Sequence, residues 1–194
     1  AENISLSADA VIASSGVNVN PELSWNSSIL SLQYGYYGSH AGTGHAAAGG
    51  GHAGIGTAGS NNPAGTGGVR RGDALAPYGP GGPGGADLAA EILGGAGGGG
   101  LIFNVSGTFM IDGVIDVTGT SASLESCAGG GAGGSIYIYA PQAVLTGSGE
   151  LRASGGHGGI SSIAAFHGGA GSGGRVSIQV CVDEFIGSIS AQGG

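Results

Sequence analysis

The chain has 194 residues, 48 of them glycine and 6 proline, and its charge is sparse and acidic: 12 Asp and Glu against 4 Arg, net −8. That balance excludes nucleic acid and anionic membrane as partners, because both demand a basic stripe, and the lack of a strict Gly-X-Y period excludes collagen. Apolar runs are strand-sized, so membrane insertion is not expected.

Residues 2–19, ENISLSADAVIASSGVNV, open the chain with β-branched and aliphatic positions that alternate with small polar ones. The AENIS start suits a processed N-terminus. Alternation predicts a first rung near 3–19, with Ile4, Leu6 and Ala8 on one face in the places of Leu101, Phe103 and Val105, and then Val17 and Val19 in those of Ile115 and Val117. Trp25 to Tyr37 follows, carrying Trp25, Tyr34, Tyr36 and Tyr37. Aromatic residues are favoured at interfaces, so this segment reads as an end cap or as an intersubunit contact.

Next come long glycine tracts, HAGTGHAAAGGGHAGIGTAG (40–59) and GPGGPGGADLAAEILGGAGGGG (79–100). A structureless loop of such length does not suit a compact domain. Glycine and alanine leave backbones free to approach, so the tracts are expected to pack as extended or polyproline-II segments; flexible linkers are the alternative. Within the second tract, ADLAAEIL at Ala86 to Leu93 predicts a short helix ended by Gly94.

Beyond residue 96 a cassette recurs: glycines, an alternating strand, a Gly turn, a second apolar pair, glycines again. Gly97 to Gly119, Gly130 to Gly156 and Gly171 to Gly194 are the copies. Aligned on their glycines, they place Leu101, Phe103 and Val105 with Ile136, Ile138 and Ala140 and with Val176, Ile178 and Val180. Ile115 and Val117 likewise match Leu151 and Ala153, then Ile189 and Ala191. Corners are expected at Ser106-Gly107, Asp112-Gly113 and Gly147-Ser148-Gly149. Repetition of this kind predicts a single all-β domain over 1–194: a parallel β-solenoid (β-helix-like) of about four rungs, near 3–19, 101–119, 136–154 and 176–191. Gly-rich excursions fill 38–100, 120–134 and 155–174; an antiparallel sandwich is the competing fold. Ile102, Tyr137 and Tyr139 would face outward, so that face calls for a cover.

The run GGGAGGSIYIYAPQAVLTGSGELRASGGHGG followed by GSGGRVSIQV resembles a widespread group of very large glycine-rich extracellular or surface proteins built from such repeats. The likeness is strong over 97–194 and persists upstream in YYGSHAG, GGGHAG and GDA. The chain departs from the group in its two cysteines, its lack of lysine and its divergent 55–95 stretch. The resemblance implies a β-helix-like fold and an extracellular location, and no activity.

The polar residues form no pattern that chemistry requires. His40, His45, His52, His157 and His167 lie in glycine tracts at spacings that match no zinc motif. Asp112 and Asp116, with Asp73, Asp87 and Glu91, form no calcium loop and no carboxylate pair across a cleft. Arg71-Gly72-Asp73 spells an adhesion tripeptide but is read as a chance match. Hence no catalytic, cofactor-binding or metal-ligating residue is assigned, no cofactor is expected, and the chain is not read as an enzyme. Sequons at Asn3, Asn26 and Asn104 are expected to carry N-linked glycans. Cys127 and Cys181 suit either a disulfide or two free thiols. The reading is a structural subunit of an extracellular filament, appendage or cell-surface coat, a homo-oligomer joined end to end. Trp25, Tyr34, Tyr36, Tyr37, Tyr137 and Tyr139 are its interface candidates. A carbohydrate-binding or adhesion module is the alternative, and a polysaccharide-active β-helix enzyme the remotest reading.

Overall fold

Apolar alternation produces strands wherever the sequence shows it. The computed structural model describes residues 3–14, 46–61, 66–162 and 166–194, and these hold strands and no helix. In chain order the strands are β1 (Ile4–Leu6), β2 (Val11–Ala13), β3 (Gly100–Asn104), β4 (Thr108–Ile111), β5 (Val114–Asp116), β6 (Ser135–Gly147), β7 (Glu150–Arg152), β8 (Arg175–Phe185) and β9 (Ser188–Ser190). Every pairing between them is parallel. The described residues form no antiparallel sandwich; antiparallel bridges among them join only Asp87 to Ile92 and Ile160 to His167.

Parallel strands curl into a half-barrel because each circuit of the chain returns to the same faces. β6 is long enough to serve two of them. Its first half lies between β3 and β8, and its second half between β4 and β8, with a register shift between Ala140 and Val144. β1 adds to β4, and a second sheet runs β2-β5-β7-β9. Ile136 thus sits between Leu101 and Val176, and Ile138 between Phe103 and Ile178. On the next face Ile4, Phe109 and Leu145 form one ladder; on the third, Ile12, Ile115, Leu151 and Ile189 form another.

These ladders are the core. Phe109, Ile111, Ile115, Ile136, Ile138, Leu145 and Leu151 have no exposed surface, and Phe103 packs a tilted ring on Phe109 at 5.1 Å between centroids. Burial of each large side chain contributes about 1.5–3 kcal/mol before entropy is subtracted.

Two details of the first rung differ from the sequence expectation. Ile4 pairs with Phe109 rather than standing over Leu101. The second strand begins at Val11, so Ile12 takes the ladder place expected of Val17. The cause is a tight turn in which the Ala10 N–H donates to Ser7 O, so Ala8 is exposed and the chain re-enters the stack early. Val17 and Val19 lie outside the described residues.

The glycine tracts form a second body of structure, held mainly by hydrogen bonds between backbones. Segment 129–134 donates to three neighbours in rotation. Gly129 and Ala132 reach Gly85 and Gly82, Gly130 and Gly133 reach Gly169 and Ser172, and Gly131 and Gly134 reach Thr120 and Val117. The same stretch accepts from Gly95 and Gly98, from Gly50, and from Gly156. A step of three to each neighbour is the period of a chain with three residues per turn, whereas a strand alternates in twos. These N–H to carbonyl bonds between neighbouring tracts let much backbone be enclosed without a sheet.

Residues 86–93 are not helical. Asp87 and Ile92 exchange backbone hydrogen bonds of 2.8 and 3.0 Å across a turn, and Glu91 takes a φ of 56°. Asp87 draws the chain into this turn, since its carboxylate accepts the N–H groups of Ala89 and Ala90 and also that of Cys127. A side chain that offers the backbone a competing partner overrides the helical pattern.

Candidate functional site

Three regions carry features beyond ordinary packing: the last rung, the outer face of β3–β6–β8, and a buried polar knot between sheet and glycine body.

The last rung is incompletely covered. Val176, Ile178 and Val180 are half-buried, although Ile136, Ile138 and Ala140 directly above them are fully buried. Ile189 is 52% exposed against 0% for Leu151. Below Phe109 and Leu145 the same ladder ends in Asp183, whose Oδ1 accepts the Phe185 N–H. The sequence pattern announces no charged cap here, yet Asp183 and Glu184 place carboxylates at this end. An inward-facing charge on an outermost strand blunts indiscriminate edge pairing.

On the outer face, alternation turns Ile102 and Asn104 away from the core. Parallel register sets Ile102 against Tyr137 and Ser177, and Asn104 against Tyr139 and Gln179. The two tyrosine rings lie 6.0 Å apart at 45°. One flank is covered as expected: Ser177 Oγ and Gln179 Nε2 both donate to Leu75 O, which ties the 73–79 loop over β8. Ile102 and Tyr139 stay 59% and 40% exposed.

The polar knot has no counterpart among the sequence expectations. His52 is buried, its N–H donates to Ser172 Oγ, and its Nδ1 lies 2.7 Å from Gly133 O. A carbonyl can only accept, so Nδ1 carries the proton. Nε2 is 3.3 Å from Ser135 Oγ, whose hydroxyl donates to Gly79 O. Arg175, in register with Ser135, donates to Arg71 O. The signal in the sequence was the residue entering each strand, Ser135 and then Arg175, just after the glycines. Ser135 has no exposed surface, so this Ser–His contact has no access to substrate and serves to pin glycine tracts to the sheet.

Burial holds the His52 imidazole below its ordinary pKa of 6.5, with the Arg175 charge acting in the same direction. Below pH 6.5 the unfolded chain therefore takes up a proton that the folded chain refuses, and stability falls as pH falls through that window. Urea unfolding at about pH 7.5 and about pH 5.5 is expected to show this loss, and a His52→Asn variant, less stable at both, is expected to show a smaller one. An equal pH slope in both proteins would contradict it.

The other singled-out residues are structural. Asp112 Oδ1 accepts the Ser148 N–H, Asp116 Oδ1 that of Thr118, and Asp73 Oδ1 those of Leu75 and Ala76. The Leu75 and Ala76 N–H groups hold the Asp73 carboxyl below its usual range. Each carboxylate thus fastens a corner. Arg71-Gly72-Asp73 is such a corner, with Gly72 at a φ of 85°. Arg152 pairs with Glu150 and lies 4.0 Å from Asp116 on an exposed face, where such pairs contribute little. His157 is exposed, and the buried His167 Nδ1 has no hydrogen-bond partner among the described residues. Among the described residues no three His, Cys, Asp or Glu side chains converge to hold a metal. His40, His45, Trp25, Asn26, Tyr34, Tyr36 and Tyr37 lie outside the described residues. Asn3 is exposed, and its Oδ1 accepts the Thr108 N–H.

The structure has no Cys127–Cys181 bond. Both thiols are free: Cys181 is exposed on β8, while Cys127 sits beside Asp87 with its thiol 3.8 Å from Phe166 O. Partial burial pushes the Cys127 thiol above its ordinary range, and the Asp87 carboxylate adds to this. Iodoacetamide at about pH 8 is therefore expected to modify Cys181 before Cys127. Preferential labelling of Cys127, or a disulfide-linked peptide on digestion, would contradict the arrangement.

Comparison with protein-family models, curated proteins and solved structures gave no match to this chain.

Proposed function

We propose that the chain is a structural subunit of an extracellular filament, appendage or cell-surface coat. In this reading it is a β-solenoid of about four rungs whose glycine tracts pack beside it as polyproline-II-like segments, and copies join end to end. The observation that carries the proposal is the uncovered last rung. Val176, Ile178, Val180 and Ile189 are ladder residues left partly in water, and β8 and β9 have no strand on their far side among the described residues. A second copy presenting β1 and β2, or β3, supplies both the missing strand partners and the apolar cover. Asp183 confines the joint: a charge on that ladder is tolerated only where water remains, so the close contact falls on the Val176–Val180 and Ile189 faces.

Sedimentation of the purified chain tests this reading. Large assemblies are expected at physiological salt, and a Val176→Asp, Ile189→Asp double variant is expected to remain monomeric with an unchanged circular dichroism spectrum. Monomers from the parent chain would overturn it.

A second reading, a carbohydrate-binding or adhesion module, has one observation in its favour: the aromatic pair of half-buried Tyr137 and exposed Tyr139. Titration of the unmodified chain with soluble oligosaccharides, followed by tyrosine fluorescence, distinguishes the two.

A further inference from the structure

The outer face of β3–β6–β8 holds an apolar shelf and, within it, a modification sequence. We infer that Asn104 carries an N-linked glycan whose first sugars lie on Ile102, Tyr137 and Tyr139, so that the missing cover of this face is carbohydrate carried by the chain itself. The inference rests on the extracellular reading above and deepens it by assigning one of three sequons a structural task.

Asn104 is exposed at the end of β3 and stands in direct register with Tyr139, one strand spacing of about 4.8 Å away. Ile102, two residues earlier on the same face, stands in register with Tyr137. A sugar attached at Asn104 therefore starts beside a tilted pair of tyrosine rings, 6.0 Å apart, and an isoleucine that is 59% exposed. Pyranose rings have an apolar C–H face and a rim of hydroxyls, and tyrosine offers the matching combination of apolar ring and polar tip. On the far side the 73–79 loop bounds the shelf, because Leu75 O is fastened by Ser177 and Gln179. Asn3 lacks such surroundings: it precedes β1, which pairs with β4, away from the two tyrosines.

Attachment requires a polyprenyl-diphosphate-linked oligosaccharide and an oligosaccharyltransferase. The Asn104 Nδ2 forms a bond to C1 of the first sugar and loses a proton, while the bond from C1 to the diphosphate oxygen breaks and the lipid diphosphate leaves with the electron pair. Val105, inside the Asn-Val-Ser sequon, is buried, so transfer takes place before β3 joins the stack.

The test uses the full chain secreted from a eukaryotic cell. Peptide N-glycosidase treatment in heavy-oxygen water, read by peptide mass, is expected to mark Asn104. Removing the glycan from the folded protein is expected to lower its unfolding midpoint by about 2–4 °C, and a Tyr139→Ser variant, still glycosylated, is expected to lose that difference. An unmarked Asn104 with Asn3 or Asn26 marked overturns the shelf and leaves the extracellular reading intact. A marked Asn104 whose removal leaves the midpoint unchanged overturns the stacking. Binding of free chitobiose at Tyr139 by a chain whose Asn104 is never marked also overturns it, in favour of a site for external sugar. Assembly of the same samples, seen by sedimentation, reports separately on the structural reading.

Discussion

Gly131→Ala is expected to prevent folding, or to cost more than about 4–5 kcal/mol, by adding a single methyl group. A Cβ at that position would come closer than 3.0 Å to the carbonyl of Ala96, a separation that real Cβ atoms essentially never show. The obstacle is backbone, which has no rotamer by which to move aside. Separating the two backbones would break either the hydrogen bond that Ala96 O accepts from the Thr120 N–H or those that join Gly131 to Thr120 and Gly156 to Gly131. Gly79→Ala is the control: no atom lies within 4 Å of where its methyl group would sit, and the change is expected to alter stability by less than about 1 kcal/mol. Urea unfolding of the two variants measures the contrast, and equal effects would refute the close-packed glycine body.

Phe109→Ala is expected to cost about 3–5 kcal/mol. Phe109 is fully buried between Ile4 and Leu145 and packs on Phe103, so its removal leaves a cavity that two neighbouring rungs must share. The position-equivalent effect fades toward the end of the stack. Ile189→Ala, at a side chain already half in water, is expected to cost less than about 1.5 kcal/mol in the monomer. If the two substitutions were equally costly, the core would not be the stacked ladders described.

Much of this architecture was legible in the residues. The alternation in LIFNV, SIYIYA and RVSIQV, together with the glycines that align them, placed Leu101, Ile136 and Val176 in one ladder, and parallel register brings them together. The corners at Ser106-Gly107 and Asp112-Gly113 were legible for the same reason: a small flexible residue interrupts an apolar pattern. Less was legible in the first rung, where the turn at Ser7 to Ala10 depends on one backbone hydrogen bond that no periodicity announces. The helix expected at Ala86 to Leu93 failed because Asp87 serves a neighbour 40 residues away, Cys127, as well as its own turn. His52 is the clearest case of long-range information. Its partners Gly133, Ser135 and Ser172 are distant in sequence, and only the three-residue packing of the glycine tracts brings them to it.

The proposed end-to-end joining of copies through stacked parallel strands is tested most directly by electron microscopy of the purified chain at physiological salt. Continuous stacking predicts unbranched filaments whose averaged images show a layer line near ~4.8 Å, the spacing of strands stacked along the axis, with a rise per subunit on the order of 19 Å for four such spacings. Dispersed single particles, or filaments lacking the ~4.8 Å axial repeat, would contradict it.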